Sequence, residues 1–274
     1  MLPRSWRRLA LDAAALTSLG FILVPLVFVT WLAFFKQEIP SFPPEGYTLH
    51  WFSAILTQNA IINGFITSFE IGLAATLLGL MLGVPAAVGL VRHAPWWKGG
   101  ASTLLLMPLV VPAIVLGTAI YVAEVEAEIL VYGAGFEIPV IGTIGGLIAA
   151  HTLIVIPWVV RLVSASLAGF DRSIEEAAQN LGASPLTTLR RITLPVIRPG
   201  VVAAALFAFV ISFSNLELSL FLVGAGRTTL PIAILQYLEW KIDPTIAAAS
   251  VVQIAIVAAA MLITDRFVRL TQVI

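Results

Sequence analysis

Long apolar segments alternate with short polar ones along nearly the whole chain. Charge-free runs of about 18 residues or more are typical of helices that cross a membrane. Such segments are helical because hydrocarbon offers no partner for unpaired backbone groups. The pattern therefore predicts an all-α membrane protein with six transmembrane helices. The predicted spans cover residues 11–35, 61–91, 100–123, 141–165, 200–223 and 244–266.

Turn-forming residues divide the segments between the predicted spans. The prolines of the outer segment 36–59 predict a loop, with a short interfacial helix at 49–56. A tight inner turn is predicted at 92–98. Pro108 and Pro112 predict a kink within the third span, because proline removes a helical hydrogen bond. We find no internal repeat and expect one transmembrane domain over residues 1–274.

Composition and charge give the orientation. Of the 274 residues, 59% are hydrophobic and 11% charged, with a mean hydropathy of +1.01, whereas soluble domains carry about 25% charged residues. Of the 15 basic residues, only Lys36, Arg227 and Lys241 fall on the side opposite the N-terminus. The positive-inside rule then places both termini in the cytoplasm. The basic start resembles a signal peptide, but the charge-free run 13–35 is too long, so we interpret it as a retained anchor.

Several kinds of chemistry are excluded. The chain has no cysteine and therefore no disulfide or thiolate metal site. His50, His93 and His151 lack ligand spacing, so we expect no metal and no other cofactor. None of the three lysines lies in a Gly-Lys-Ser/Thr sequence, so the chain cannot itself hydrolyse ATP. An intramembrane enzyme would need a nucleophile–base pair or metal ligands, which His151 alone does not supply.

The inner loop 166–198 is the longest polar segment on the predicted cytoplasmic side. Ser173 and Glu176 fit a capping box that starts a helix, and Gly182 is suited to its C-terminal cap. An apolar stripe follows the helical period. Its members are Ile174, Ala177, Ala178 and Leu181.

A second short helix is predicted directly after the first. Ser184 and Pro185 suit its N-cap and first position, and the arginines 190–191 suit its C-terminal end. Leu194 and Pro195 are predicted to stop it, after which residues 198–200 turn the chain back into the membrane. Local chemistry alone leaves open a linker that merely lies on the bilayer surface.

The spacing of fixed residues is more specific than the caps. Glu-Ala-Ala at 176–178 is followed after three residues by Gly182 and after nine more by Ile192, then Leu194 and Pro195. This pattern closely resembles the signature loop of binding-protein-dependent ABC importer permeases of type I, and the resemblance extends from about residue 61 to the C-terminus. It implies a permease whose loop docks into a cytoplasmic ATPase. The implied coupling residues are Ser173, Ile174, Glu176, Ala177, Ala178, Leu181, Gly182, Ile192, Leu194 and Pro195.

The resemblance also implies partners and a location. They are a cytoplasmic ABC ATPase dimer, a second permease subunit (another chain or a second copy), an extracytoplasmic substrate-binding protein and the bilayer of the bacterial inner membrane, with no nucleic acid. Spans four to six look most like the polyamine-type branch, which includes relatives for iron, thiamine, phosphonates and opines. Members that handle polyamines often carry an acidic pair in span five, where this chain has Ser214 and Asn215. A small organic solute of this wider group is therefore expected.

Polar residues within the spans are costly and are candidates for the translocation path. Ser212, Asn215 and Ser219 would form one helical stripe. The alternative is that small polar residues pack helices together, and that Glu70 or Glu217 holds helices together, one of them paired with His151. The path candidates are Glu70, His151, Ser212, Ser214, Asn215, Glu217 and Ser219.

Two further interpretations concern the acids. Glu124, Glu126, Glu128 and Glu137 are expected in the outer connection after span three, where they would either pair with a basic receptor rim or remain solvated. The main rival function is a proton-coupled secondary transporter that acts alone through Glu70 and Glu217.

Overall fold

The computed structural model describes residues 4–93 and 97–268. Pro95 and Trp96 of the predicted inner turn lie outside the described residues. The described part of the chain is helical and contains no strand beyond an isolated bridge between Phe35 and Tyr47. Its α-helices are α1 Arg4–Leu32, α2 His50–Ile55, α3 Asn59–Val88, α4 Lys98–Leu106, α5 Ala113–Gly133, α6 Ile144–Ala168, α7 Arg172–Asn180, α8 Pro185–Thr188, α9 Leu194–Phe213, α10 Glu217–Leu222, α11 Leu230–Trp240 and α12 Thr245–Val268.

Within the described residues, five helical segments are long and apolar enough to cross a membrane. A sixth is the bent pair Gly99–Leu109 and Ala113–Gly133, so six spans result if that pair counts as one. The all-α architecture and the short helix expected at 49–56 are thereby confirmed. The five unbroken segments are Leu11–Leu32, Asn59–Arg92, Ile144–Ala168, Pro185–Phe213 and Thr245–Arg266.

The third span departs from its prediction. Its two halves meet at 103°, which is a break rather than a kink. Pro112 directly precedes α5. Because its nitrogen carries no N–H, it cannot donate the hydrogen bond that would continue the preceding helix. α5 then runs to Gly133, beyond the expected end at residue 123. Its alanines and glutamates favour a helix, so most of the expected outer connection is helical.

The fifth span also differs. The predicted stop at Leu194 and Pro195 is wrong, because a wide helical turn, Leu189–Thr193, joins α8 to α9 without interruption. Pro195 follows shortly after that wide turn and does not end the helix. The helix continues through Pro199, so the expected turn at 198–200 is absent. It ends at Phe213, before the predicted limit, and α10 follows after a break.

The predicted outer loop 224–243 is wrong in one respect, since it contains α11.

The chain divides into two compact units, Met1–Ile61 with Ile234–Ile256 and Ile62–Ala233 with Val257–Ile274. In the first unit, the indole Nε1 of Trp51 donates to the carbonyl of Phe35 at 2.6 Å and fixes α2 against the end of α1.

The second unit contains the main core and every candidate functional residue. α6 packs against α3 and α9 at small residues, which allow helix backbones to approach closely. A Cβ at Gly83 would lie 2.7 Å from Val159 Cγ1, and one at Gly200 would overlap the side chain of Ser166. The buried core consists of Ala75, Ala87, Leu90, Val155, Val159, Val160, Val163, Leu167, Ile197, Ala204 and Ala208.

Candidate functional site

α7 is a short helix held by a cap at each end. Asp171, rather than the predicted Ser173, is the N-cap, because its Oδ1 accepts the backbone N–H of Ser173 at 2.9 Å. That bond, with a further bond from the Ser173 side chain, stabilises the ionised form and lowers the pKa of Asp171. At the other end, Gly182 donates to the carbonyl of Gln179 with φ +90°, as its predicted capping role requires.

Most of the apolar stripe of α7 is exposed rather than packed against its own chain. Ile174 is 49% exposed and Leu181 90% exposed. Ala177 is also exposed and Ala178 is half-buried. Exposed apolar surface on a capped helix is typical of a surface that binds another protein.

Glu175 is the buried residue of α7, and sequence reasoning passed over it in favour of Glu176. Its Oε2 lies 3.0 Å from Nε of Arg92, which makes an ion pair although the hydrogen bond is poorly aligned. Its Oε1 accepts the hydroxyl of Thr193 at 2.6 Å. Glu176 instead forms an exposed pair with Arg172 at 3.1 Å.

Arg92 also reaches the end of α6. Its Nη2 lies 3.4 Å from the carbonyl of Leu167 and 3.3 Å from that of Phe170. The guanidinium lies 5.6 Å from the centre of the Phe170 ring. We call Arg92, Glu175, Thr193, Leu167 and Phe170 the Arg92 hub. The hub joins the end of α3, the end of α6, α7 and the turn before α9, and it borders a cleft of about 330 Å³ between α7 and α8.

The remainder of the predicted signature forms the junction between α8 and α9. Ser184 caps α8, accepting from the N–H of Thr187 at 3.2 Å, and Pro185 is its first residue, as expected. Ile192 and Leu194 are half-buried and Pro195 is exposed. All three lie in the continuous helical connection that joins α8 to α9.

His151 gathers two of the path candidates. Its Nδ1 lies 2.8 Å from Ser212 Oγ, and its Nε2 lies 3.5 Å from Ser219 Oγ. All three side chains are buried. The predicted stripe is not continuous, because the helix breaks between Phe213 and Glu217. In this structure these polar groups hold α6 to both sides of that break.

The other path candidates lie elsewhere. Glu70, Ser214 and Glu217 are exposed, and Asn215 is half-buried. Asn215 Oδ1 accepts the N–H of Leu218 at 2.8 Å and thereby supports the start of α10. The alternative in which Glu70 or Glu217 pairs with His151 is not supported, since the two ring nitrogens contact the hydroxyls of Ser212 and Ser219.

The expected acidic outer patch is also corrected. Glu124 is buried, and within the described residues its carboxylate has no hydrogen-bond partner. It lies against Gly146 in the first turn of α6, where a Cβ would come within 3.2 Å of both oxygens. Glu128 Oε2 accepts from the N–H groups of Val140 and Ile141 at 2.8 and 2.9 Å. Only Glu126 and Glu137 are left exposed for a partner.

The family model for the binding-protein-dependent transport system inner membrane component matches residues 75–272. This chain belongs to that family. The matched region includes the Arg92 hub, α7 and the α8–α9 junction. The protein is therefore the multi-pass permease subunit of an ABC importer in the bacterial inner membrane, and such a subunit is not itself an enzyme.

Curated relatives support this assignment. The permease is 29% identical over 229 residues to the putrescine transport system permease protein PotI of Escherichia coli K12, covering 83% of this chain and 79% of the relative. It is 28% identical over 256 residues to the putative 2-aminoethylphosphonate transport system permease protein PhnV of Salmonella paratyphi A, covering 93% and 92%.

Solved structures show the same fold. A bacterial ABC transporter involved in import of the acidic polysaccharide alginate matches with a TM-score of 0.73 and 16% identity, over 97% of this chain and 99% of that chain. The MetNI methionine ABC transporter matches with a TM-score of 0.61 and 21% identity, over 76% and 94%. In general terms, the partners of the permease are an ATPase and a substrate-binding protein.

Proposed function

We propose that α7 is the element through which this permease receives the push of its ATPase. The observation that carries the proposal is the exposed apolar stripe formed by Ile174, Ala177 and Leu181 on a helix capped at both ends. A rigid helix transmits displacement, whereas a flexible linker absorbs it. Ala177 and Ala178 leave room for close approach by a partner surface.

Cysteine crosslinking tests this docking directly, because the chain contains no cysteine of its own. In the assembled transporter, Leu181→Cys treated with a short cysteine-to-lysine reagent is expected to form an adduct with the ATPase. Glu137→Cys is the matched control, since Glu137 is also exposed but lies on the predicted outer side. Equal adducts at both positions, or none at Leu181→Cys, would contradict the proposal.

We also propose that the permease functions in an assembly of two permease subunits, two ATPase subunits and one external receptor. Glu70 supports this arrangement, because it is exposed on the isolated subunit although it lies within the candidate span Asn59–Arg92. Ser214 and Glu217 are exposed at the break that directly follows the span Pro185–Phe213. Polar residues at that depth are favoured where they face a partner or a water-filled path. The path would then run along the break between α9 and α10, with the His151 contacts serving as helix packing.

The proposed cargo is a small solute of the polyamine, opine, phosphonate, iron or thiamine group. PotI and PhnV are named for putrescine and 2-aminoethylphosphonate, two solutes with amino groups. The exposed carboxylates of Glu70 and Glu217 suit an ammonium group on the cargo.

Transport by the reconstituted complex tests this cargo assignment. Proteoliposomes that contain the permease, its ATPase and its receptor are expected to accumulate putrescine or 2-aminoethylphosphonate only when ATP is supplied. Liposomes with the permease alone and an imposed proton gradient are the control and are expected to remain empty. Uptake in the control would favour the secondary transporter instead.

A further inference from the structure

We propose that Arg92 and Glu175 are positioning residues that transfer the movement of α7 to the membrane-spanning helices α3 and α6. The inference rests on the proposed docking of the ATPase to α7. Neither residue belongs to the Glu-Ala-Ala signature, and neither would contact the ATPase or the cargo.

α7 makes few polar side-chain contacts with the other helices. Among the described residues, the polar side chains of α7 contact other helical segments through Glu175, which meets Arg92 and Thr193. The remaining contacts of its polar side chains are local, namely the Asp171 cap and the exposed Arg172–Glu176 pair. Besides the short chain connections at its two ends, α7 is therefore tied to the spanning helices through Glu175.

Arg92 connects Glu175 to two spans at once. Its planar guanidinium offers several donors in a fixed arrangement, so one side chain contacts Glu175 and two carbonyls of the α6 end together. A cation is also favoured there, because the C-terminal end of a helix carries partial negative charge. Arg92 is itself part of the helical end of α3. The hub thus ties α7 to two spans at one point.

The Arg92–Glu175 pair is buried, whereas the neighbouring Arg172–Glu176 pair is exposed. The side chains of Arg92 and Glu175 are 11% and 10% exposed, whereas those of Arg172 and Glu176 are each 60% exposed. Removing one partner of a buried pair leaves the other charge uncompensated, but removing one partner of an exposed pair has little effect. The two pairs each include a glutamate of α7, so they allow a buried and an exposed ion pair to be compared on the same helix.

The test uses the complete transporter in proteoliposomes with its ATPase and receptor, and measures cargo moved per ATP hydrolysed. Glu175→Gln, which keeps the size but removes the charge, is expected to lower this ratio at least tenfold. Arg172→Gln is the matched control, since it breaks the exposed pair of the same helix, and a change of less than about twofold is expected there.

A double variant separates transmission from mere stabilisation. Arg92→Gln with Glu175→Gln removes both buried charges, so thermal stability is expected to recover while the transport ratio remains low. If the transport ratio recovers together with stability, the pair is only a structural support and the inference is overturned.

A crosslinking readout separates this inference from the docking proposal on which it rests. Leu181→Cys combined with Glu175→Gln is expected to crosslink to the ATPase as well as Leu181→Cys alone. Loss of the adduct only in the combined variant would overturn the positioning role, because Glu175 would then act in docking itself. Absence of the adduct in Leu181→Cys alone would instead refute the proposed docking.

Discussion

Replacing Gly182 with valine is expected to abolish stimulation of ATP hydrolysis by the loaded receptor, and transport with it, while the permease still inserts in the membrane. Gly182 has φ +90°, and no neighbouring atom lies within 4 Å of a Cβ built there. The penalty is therefore in the backbone, where a left-handed conformation costs an L-residue about 1–2 kcal/mol. The C-terminal end of α7 would unwind to relieve this backbone strain. The exposed apolar residues of α7 would then no longer be held on one face of a helix.

The measurement is ATPase activity in proteoliposomes with and without loaded receptor, alongside the amount of permease in the membrane. Gly182→Asn is the matched control, because asparagine tolerates a left-handed helix cap better than other residues with a side chain. It is expected to keep most of the stimulation. Stimulation of Gly182→Val at the wild-type level would refute the role of this cap.

Replacing Gly200 with valine is expected to disrupt the packing of α9 on α6 and lower the melting temperature by several degrees. A Cβ at this position overlaps Ser166, whose Cβ cannot move without its backbone. Overpacking of this kind costs about 1–3 kcal/mol, and sometimes more. Thermal unfolding of the purified permease measures the effect.

Gly20→Ala provides the comparison for Gly200. Gly20 lies within α1, and a Cβ there has no neighbour within 4 Å. Alanine favours a helix by about 1 kcal/mol over glycine, so this variant is expected to melt at or slightly above the wild-type temperature. A Gly200→Val protein that melts with Gly20→Ala would show that α6 and α9 are not closely packed at this point.

Local chemistry predicted the parts of the site that depend on neighbours in sequence. Gly182 and Ser184 cap the helices to which they were assigned, because a cap is satisfied within a few residues. The position of the first N-cap was wrong by two residues, since Asp171 and Ser173 are both good caps. The long charge-free apolar runs also located the spans, because each span must satisfy its own backbone hydrogen bonds.

The Arg92–Glu175 pair could not be predicted in the same way. Its partners are far apart in sequence, and adjacent glutamates at 175 and 176 gave no sign of which one is buried. An arginine at the end of an apolar span was the available signal, and it was counted only for orientation. A contact between distant residues depends on how α3, α6 and α7 pack, which helical periodicity does not specify.

Proline explains the errors at the spans. A proline can end a helix, but it can also be accommodated within one, so Pro195 was interpreted as a stop although the helix runs through it after the wide turn Leu189–Thr193. At Pro112 the error was the reverse: a kink was predicted, but the helix breaks there and its two halves meet at 103°. A sequence gives the position of a proline but not which side of it the helix continues.

The uninterrupted run Pro185–Phe213 joins the water-exposed turn after α7 to the level of His151 in one piece. At 1.5 Å per residue its 29 residues extend about 43 Å. No non-helical residue interrupts this run, so a displacement at its cytoplasmic end is carried along a continuous helix. The helical backbone first breaks at the gap before Glu217, so a displacement of the run would change the chain geometry at that gap, beside the buried His151.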